Sequence, residues 1–129
     1  MFKYQKYITR QDLQNNPDTL YVFGDNIVEK GFGGQAKEMR GEPNAIGIPT
    51  KMFPGNNPQD FFSDNDYIMV LSTIAIKAKI LFDHLNNDDD VVWPEDGIGT
   101  GLADLKNRSP FIWELIETIR QYFEKYYGK

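Results

Sequence analysis

Two glycine clusters hold the chemistry that this sequence can offer a ligand: Gly31-Phe32-Gly33-Gly34 and Gly97-Ile98-Gly99-Thr100-Gly101. Each follows a short apolar run, Leu20-Tyr21-Val22-Phe23 in one case and Val91-Val92-Trp93 in the other. Glycine takes positive φ without a Cβ penalty and lets backbone N–H groups approach a phosphate closely, so clusters in this position can form anion nests. A plain tight loop would explain one such cluster. Two of them, each after a strand, favour a phosphate cradle.

Polar corners stand beside the glycines. Gly24-Asp25-Asn26 ends the first apolar run, and Pro49-Thr50-Lys51 ends a second one, Ala45 to Ile48. As an ammonium, Lys51 can hold a phosphate or a ribose; if desolvation left it neutral, it could attack a sugar carbon. Other reactive types are scarce. Cysteine is absent and His84 is the single histidine, so there is no thiolate nucleophile, no cysteine zinc site and no histidine triad. His84 falls on the polar side of a helix's last turn, where a solvated imidazole suits the dipole. Asn86-Asn87-Asp88-Asp89-Asp90 lacks the spacing and terminal glutamate of a calcium loop and reads as a solvated turn. No metal ligands and no cofactor are assigned.

The elements that must position these residues follow from hydrophobic periodicity. Leu20–Phe23, Ala45–Ile48 and Val91–Trp93 show no polar alternation, as expected of strands covered on both faces in a mainly parallel sheet. Phe2 to Ile8 alternates loosely among lysines and reads as a strand near a sheet edge. Thr9 caps a short helix to about Gln14, with Asp12 in its first turn as either a dipole-complementing aspartate or a ligand for an amine. Gln35 to Arg40 forms a helix stopped by Gly41. Ser63 or Asp64 starts a helix to about Leu85, and Ser109-Pro110 starts another to about Tyr126.

On the first long helix, Tyr67, Leu71, Ile74, Ala78, Leu81 and Leu85 form a wide apolar stripe, and Met69, Thr73, Ile76 and Ile80 a narrower one. Two stripes imply burial on both sides, within the monomer or against a second copy. On the last helix the core-facing stripe is Phe111, Leu115, Ile119, Tyr122 and Tyr126, with Ile112, Ile116 and Phe123 beside it. Trp113 lies off that stripe as a partly exposed packing residue or a partner contact. The stretch from Lys51 to Asp66 is a long loop whose Phe61-Phe62 pair either covers a bound ring or anchors the loop to the core.

With 129 residues the chain suits one domain, spanning 1–129. A formal net charge of -5 argues against an electrostatic footprint for nucleic acid, though a local basic pocket can still hold a small anion. No run approaches the ~20 apolar residues of a membrane span, and the lack of cysteine suits a reducing compartment, so a soluble, unprocessed cytoplasmic protein is expected. A homo-oligomer is possible through the second stripe.

Taken together, these residues resemble a macrodomain, the ADP-ribose-binding α/β fold, and within it the branch containing terminal ADP-ribose glycohydrolase and phage-type members. From Asp18 to Gly41, a strand ending in Asp25-Asn26 precedes Gly33-Gly34-Gln35-Ala36, similar to the family's asparagine-bearing loop and glycine-alanine helix start. Pro94, then Gly97-Ile98-Gly99-Thr100-Gly101-Leu102-Ala103, resembles its diphosphate loop, and Ile48-Pro49-Thr50-Lys51 resembles the segment bearing the glycohydrolase's catalytic lysine. The matching stretches cover under half of the chain.

The resemblance implies a single-domain three-layer fold with a mainly parallel mixed sheet flanked by helices, binding ADP-ribose or a related nucleotide at the carboxyl edge. It implies ligand contacts from Gly24, Asn26, Gly33, Gly34 and Gln35 around the distal ribose, and from Gly97, Ile98, Gly99, Thr100, Gly101 and Leu102 around the diphosphate. For hydrolysis of an ADP-ribosyl bond it implies Lys51, with Asp104 or Asp25 as acid or base. In the glycohydrolase an aspartate follows the glycine-leucine pair directly. Here Ala103 stands there and the acid comes at Asp104, while Glu95-Asp96 adds carboxylates beside the loop, so binding is better supported than catalysis. A different class of function remains: a non-catalytic interaction protein that kept the fold and lost the pocket.

Overall fold

The computed structural model describes residues 1–128. Its four strands are β1 (Phe2–Gln5), β2 (Leu20–Asn26), β3 (Ala45–Lys51) and β4 (Val91–Pro94), and they form one sheet in the order β1-β4-β2-β3. Every pairing in it is parallel. The helices are α1 (Arg10–Asn15), α2 (Ala36–Met39), α3 (Tyr67–Asn86), α4 (Leu105–Arg108) and α5 (Pro110–Tyr127). The expected α/β class, central strands and edge position of β1 are all present, and β1 ends at Gln5, short of Ile8. No helix among the described residues is long and apolar enough to cross a membrane.

Strand order explains the layers. The β1→β2 and β2→β3 connections step the same way across the sheet, and right-handed crossovers put α1 and α2 on one face. The β3→β4 connection steps back, so α3 covers the opposite face, with α5 beside it. Period-2 alternation then divides each central strand between two cores. Val22, Val91 and Trp93 join Ile74, Leu81, Ile112 and Ile116 under α3 and α5, whereas Tyr21, Phe23 and Val92 join Leu13, Ala36 and Met39 under α1 and α2.

Local signals place the helix ends. Thr9 and Asp12 form a reciprocal capping box, with the Asp12 N–H on Thr9 Oγ1 at 3.3 Å and the Thr9 N–H on Asp12 Oδ2 at 2.9 Å. Gly41 stops α2 at φ +94°. The start of α5 is at Pro110 as the sequence predicts, but the capping oxygen is not that of Ser109. Asp64, 47 residues upstream of Phe111, accepts the Phe111 N–H at 3.1 Å and the Ser109 hydroxyl at 3.1 Å. Asp64→Ala removes that cap and leaves the buried Ser109 hydroxyl without its acceptor, so unfolding free energy falls by about 1–2 kcal/mol in urea titrations. An unchanged midpoint would mean that water replaces the carboxylate at no cost.

The wide stripe of α3 faces the core as expected, whereas α5 is rotated relative to its expected stripe. On α5 the buried line is Ile112, Ile116 and Phe123, while Phe111, Tyr122 and Tyr126 are exposed. Apolar residues occupy adjoining faces there, so periodicity alone admits either rotation. On α3 the buried residues are Val70, Ile74, Leu81 and Leu85, and the narrower stripe is not buried within the monomer: Met69, Ile76 and Ile80 are 49%, 63% and 41% exposed. Phe62 is buried in the α3/α5 core and anchors the long loop, whereas Phe61 remains half-buried. The histidine is half-buried rather than free in solvent, with Nε2 2.8 Å from the Asp18 carbonyl.

Candidate functional site

The cleft arises where two neighbouring strands send their chains to opposite faces. Connections from β2 and β4 leave for different layers, and this is the kind of switch point at which open α/β sheets bind ligands. The hydrogen-bonded register between these strands covers only Leu20–Val91 and Tyr21–Val92, although β2 continues to Asn26 beside β3. Beyond Tyr21 and Val92 the two strands part, and their glycine loops border the space between them.

That space is a cavity of about 510 Å³, within the usual range for small-molecule sites. Its lining brings together Gly24, Asp25, Asn26, Gly33, Gly34, Gln35, Lys51, Gly97, Gly99, Thr100, Gly101 and Leu102, all of which the sequence places at the site. Two expected residues lie elsewhere. Ile98 is buried in the α3/α5 core, and Asp104 is outside the described lining, with its Oδ1 accepting the Asn107 side-chain amide at 2.8 Å. The one-residue offset of Asp104 puts it at the entry of α4, with a left-handed φ of 46°.

Among the described residues, no protein acceptor pairs with the N–H groups of Gly33, Gly34, Gly99, Thr100, Gly101 and Leu102. Gly34, Gly97 and Gly99 have φ of 54°, 94° and 76°, the nest-forming region, whereas Gly33 and Gly101 do not. Charge is locally inverted relative to the acidic chain. Lys30, Arg40 and Lys51 line the cleft against Asp25 and Asp96.

Asp25 is not a free acid. Its carboxylate, 5% exposed, receives both Arg40 Nη groups, with Nη1 3.2 Å from Oδ2 and Nη2 on Oδ1, and it also accepts the Asn26 N–H at 2.8 Å. Arg40 in turn holds the first glycine loop: Nε donates to the Gly31 carbonyl at 2.7 Å and Nη2 to that of Lys30 at 3.2 Å. Sequence reasoning missed Arg40. The signal was Asp25 itself, since an acid ending a fully apolar strand must be paired if buried. Asn26 is similarly engaged, with its amide donating to the Lys30 carbonyl at 2.8 Å and accepting the Lys30 N–H at 3.3 Å.

Lys51 reaches the cleft wall but is held by the loop that follows it. Its ammonium donates to the Gly55 carbonyl and to that of Pro54 at 3.4 Å, and it lies 4.6 Å from the centre of the Phe61 ring. Arg108 stacks on that ring at 3.6 Å. Burial lowers the Lys51 pKa below the usual lysine value; the Arg108 charge adds to the shift, and the Asp60 carboxylate opposes it. Phe61 therefore orders cations beside the cleft.

A second, smaller cavity of about 330 Å³ adjoins the first across Asp96, Gly97 and Thr100. Trp113 and Tyr4 line it, together with Arg120, which donates to the Tyr4 hydroxyl at 2.7 Å and to Glu117 at 2.9 Å.

Fold and site together define a parallel α/β domain with a glycine-loop crevice at a switch point. Within that class, the chain belongs to the family of unknown function DUF7831, whose model matches residues 3–119. No curated protein and no solved structure matches it.

Proposed function

We propose that this protein binds ADP-ribose, or a nucleotide diphosphate derivative of similar build, in the cleft between the two glycine loops. The observation that carries this proposal is the convergence of loops 31–34 and 97–101, distant in sequence, on one cavity with unpartnered backbone N–H groups from both. Such groups stabilise phosphate oxygens without paying for desolvation of a fixed countercharge. With Arg40 and Asp25 neutralising each other, Lys30 and Lys51 face Asp96, which leaves the cleft net cationic. A reducing compartment such as the cytoplasm suits a chain without cysteine.

Binding is favoured over hydrolysis. Of the two carboxylates with an expected acid-base role, Asp25 is committed to Arg40 and Asp104 lies outside the cleft lining. Lys51 then acts as a phosphate or ribose ligand, because a bound diphosphate raises a lysine pKa that burial had lowered. Calorimetry with ADP-ribose tests the reading. Lys51→Ala should weaken binding by about 1–3 kcal/mol, the range for a charge-assisted hydrogen bond. Unweakened binding would restrict Lys51 to bracing the loop, and retained binding with lost turnover of an ADP-ribosylated protein would restore the enzymatic form.

The interaction-protein alternative draws on the exposed α3 residues Ile68, Met69, Ile76 and Ile80. Failure of ADP-ribose and related nucleotides to bind, with self-association or partner capture lost on Ile76→Glu, would favour it.

A further inference from the structure

We propose that Gln35 is a spacer that sets the width of the cleft, a positioning residue whose side-chain amide replaces the β2–β4 hydrogen bonds lost where those strands part. Its consequence for affinity rests on the ADP-ribose reading above. The spacer itself does not.

The geometry is that of a peptide group inserted between two chains. Gln35 Oε1 accepts the Gly24 N–H at 2.8 Å, and Gln35 Nε2 donates to the Gly97 carbonyl at 3.3 Å. Gly24 belongs to β2, and Gly97 lies three residues beyond Pro94, the end of β4. The last registered β2–β4 pair is Tyr21–Val92, so the amide sits past the point where the strand ladder stops. Its orientation is set by its partners: flipping it would oppose N–H to N–H and oxygen to oxygen.

Residue types around the amide match this role. A Cβ on Gly24 would lie 3.6 Å from Gln35 Oε1, 3.7 Å from Thr50 Oγ1 and 3.8 Å from the Gly99 nitrogen, so three polar groups converge on one bare strand position. Gln35 also directly follows Gly34 and precedes α2, which links the first glycine loop to the second through a single side chain. A primary amide supplies an acceptor to β2 and a donor to the second glycine loop without any change of protonation. Glutamate has the reach but lacks the donor unless protonated, and asparagine is one methylene short.

The test compares wild type, Gln35→Leu and Gln35→Glu in the full chain, read by amide hydrogen exchange at Gly24 and by calorimetry with ADP-ribose. Gln35→Leu should abolish protection of the Gly24 amide and weaken ADP-ribose binding about tenfold, the cost expected for an unmade part-buried hydrogen bond. Gln35→Glu should bind as poorly near pH 8, where its carboxylate opposes the Gly97 carbonyl, and approach wild type toward pH 5 as protonation restores a donor. Asp25, Arg40, Lys30, Lys51 and Asp96 face the same cleft, so each affinity is taken relative to wild type at the same pH. If Gln35→Leu does not fold, the pH-dependent rescue of Gln35→Glu carries the test. Equal Gly24 protection in wild type and a folded Gln35→Leu, or equal affinity of Gln35→Glu relative to wild type at pH 8 and pH 5, overturns the spacer, and lost protection with unchanged affinity overturns its positioning role. Absence of ADP-ribose binding by wild type overturns the functional reading instead, while the exchange measurement still decides the spacer.

Discussion

Arg40→Ala should lower unfolding free energy by about 3–5 kcal/mol, because removing one member of a buried ion pair leaves the other charge desolvated and uncompensated. The side chains of Asp25 and Arg40 are 5% and 15% exposed. A Cβ built on Gly47 would collide with Asp25 Oδ2, so the carboxylate packs tightly against β3 and has little room to move toward water. Arg40 is also the donor to the Lys30 and Gly31 carbonyls, so its loss releases the loop that leads into Gly33 and Gly34. ADP-ribose binding should therefore fall together with stability. Urea denaturation of Arg40→Ala, Asp25→Ala and the double variant measures the pair directly: the double variant should be less destabilised than the sum of the singles. A loss near zero in Arg40→Ala would show that the Asp25 carboxylate reaches solvent after all.

Gly99→Val should cost about 2–5 kcal/mol, the combined range for non-glycine strain at positive φ and for overpacking a filled core. Gly99 has φ of 76°, and a Cβ there would meet Leu105 Cδ2 at 2.9 Å, Leu105 Cβ at 3.0 Å and Thr50 Cγ2 at 3.3 Å. Leu105 is completely buried and Thr50 nearly so, which limits how far either can retreat. The variant loses stability along with its ligand. This differs from what the glycine pattern alone suggests, namely that valine at Gly33 or Gly99 blocks binding and spares the fold in the same way. Gly33 and Gly101 have open space within 4 Å of a built Cβ and are not at positive φ. Gly33→Val and Gly101→Val should accordingly stay within about 0.5 kcal/mol of wild type, as for surface sites, while obstructing phosphate approach. Thermal melts paired with ADP-ribose calorimetry check all three. A stable Gly99→Val, or unchanged affinity in both Gly33→Val and Gly101→Val, would contradict the cradle as built.

Features governed by short-range chemistry were legible in the sequence. Unbroken apolar runs such as Leu20–Phe23 and Val91–Trp93 can only be satisfied by burial on both faces, and they are the central strands. Thr9, Gly41 and Pro110 mark helix ends because the physics of capping, positive φ and the missing proline N–H acts within a turn. Both glycine loops border one cleft because parallel strands deliver their carboxyl ends to one edge.

What depended on long-range pairing was decided only in the tertiary structure. Placing β4 between β1 and β2 creates the switch point, and no local pattern specifies which strands are neighbours. That arrangement commits Asp25 to Arg40, makes Gln35 a bridge to Gly97 and gives α5 its cap from Asp64. Side-chain roles of this kind depend on which group of opposite polarity is within about 3 Å, a fact of packing rather than of residue type. The helix faces show the same division. Apolar stripes on α3 and α5 were visible, yet on α5 which residues are buried depends on the rotation that best fills the space over the sheet, and it left Phe111 in solvent.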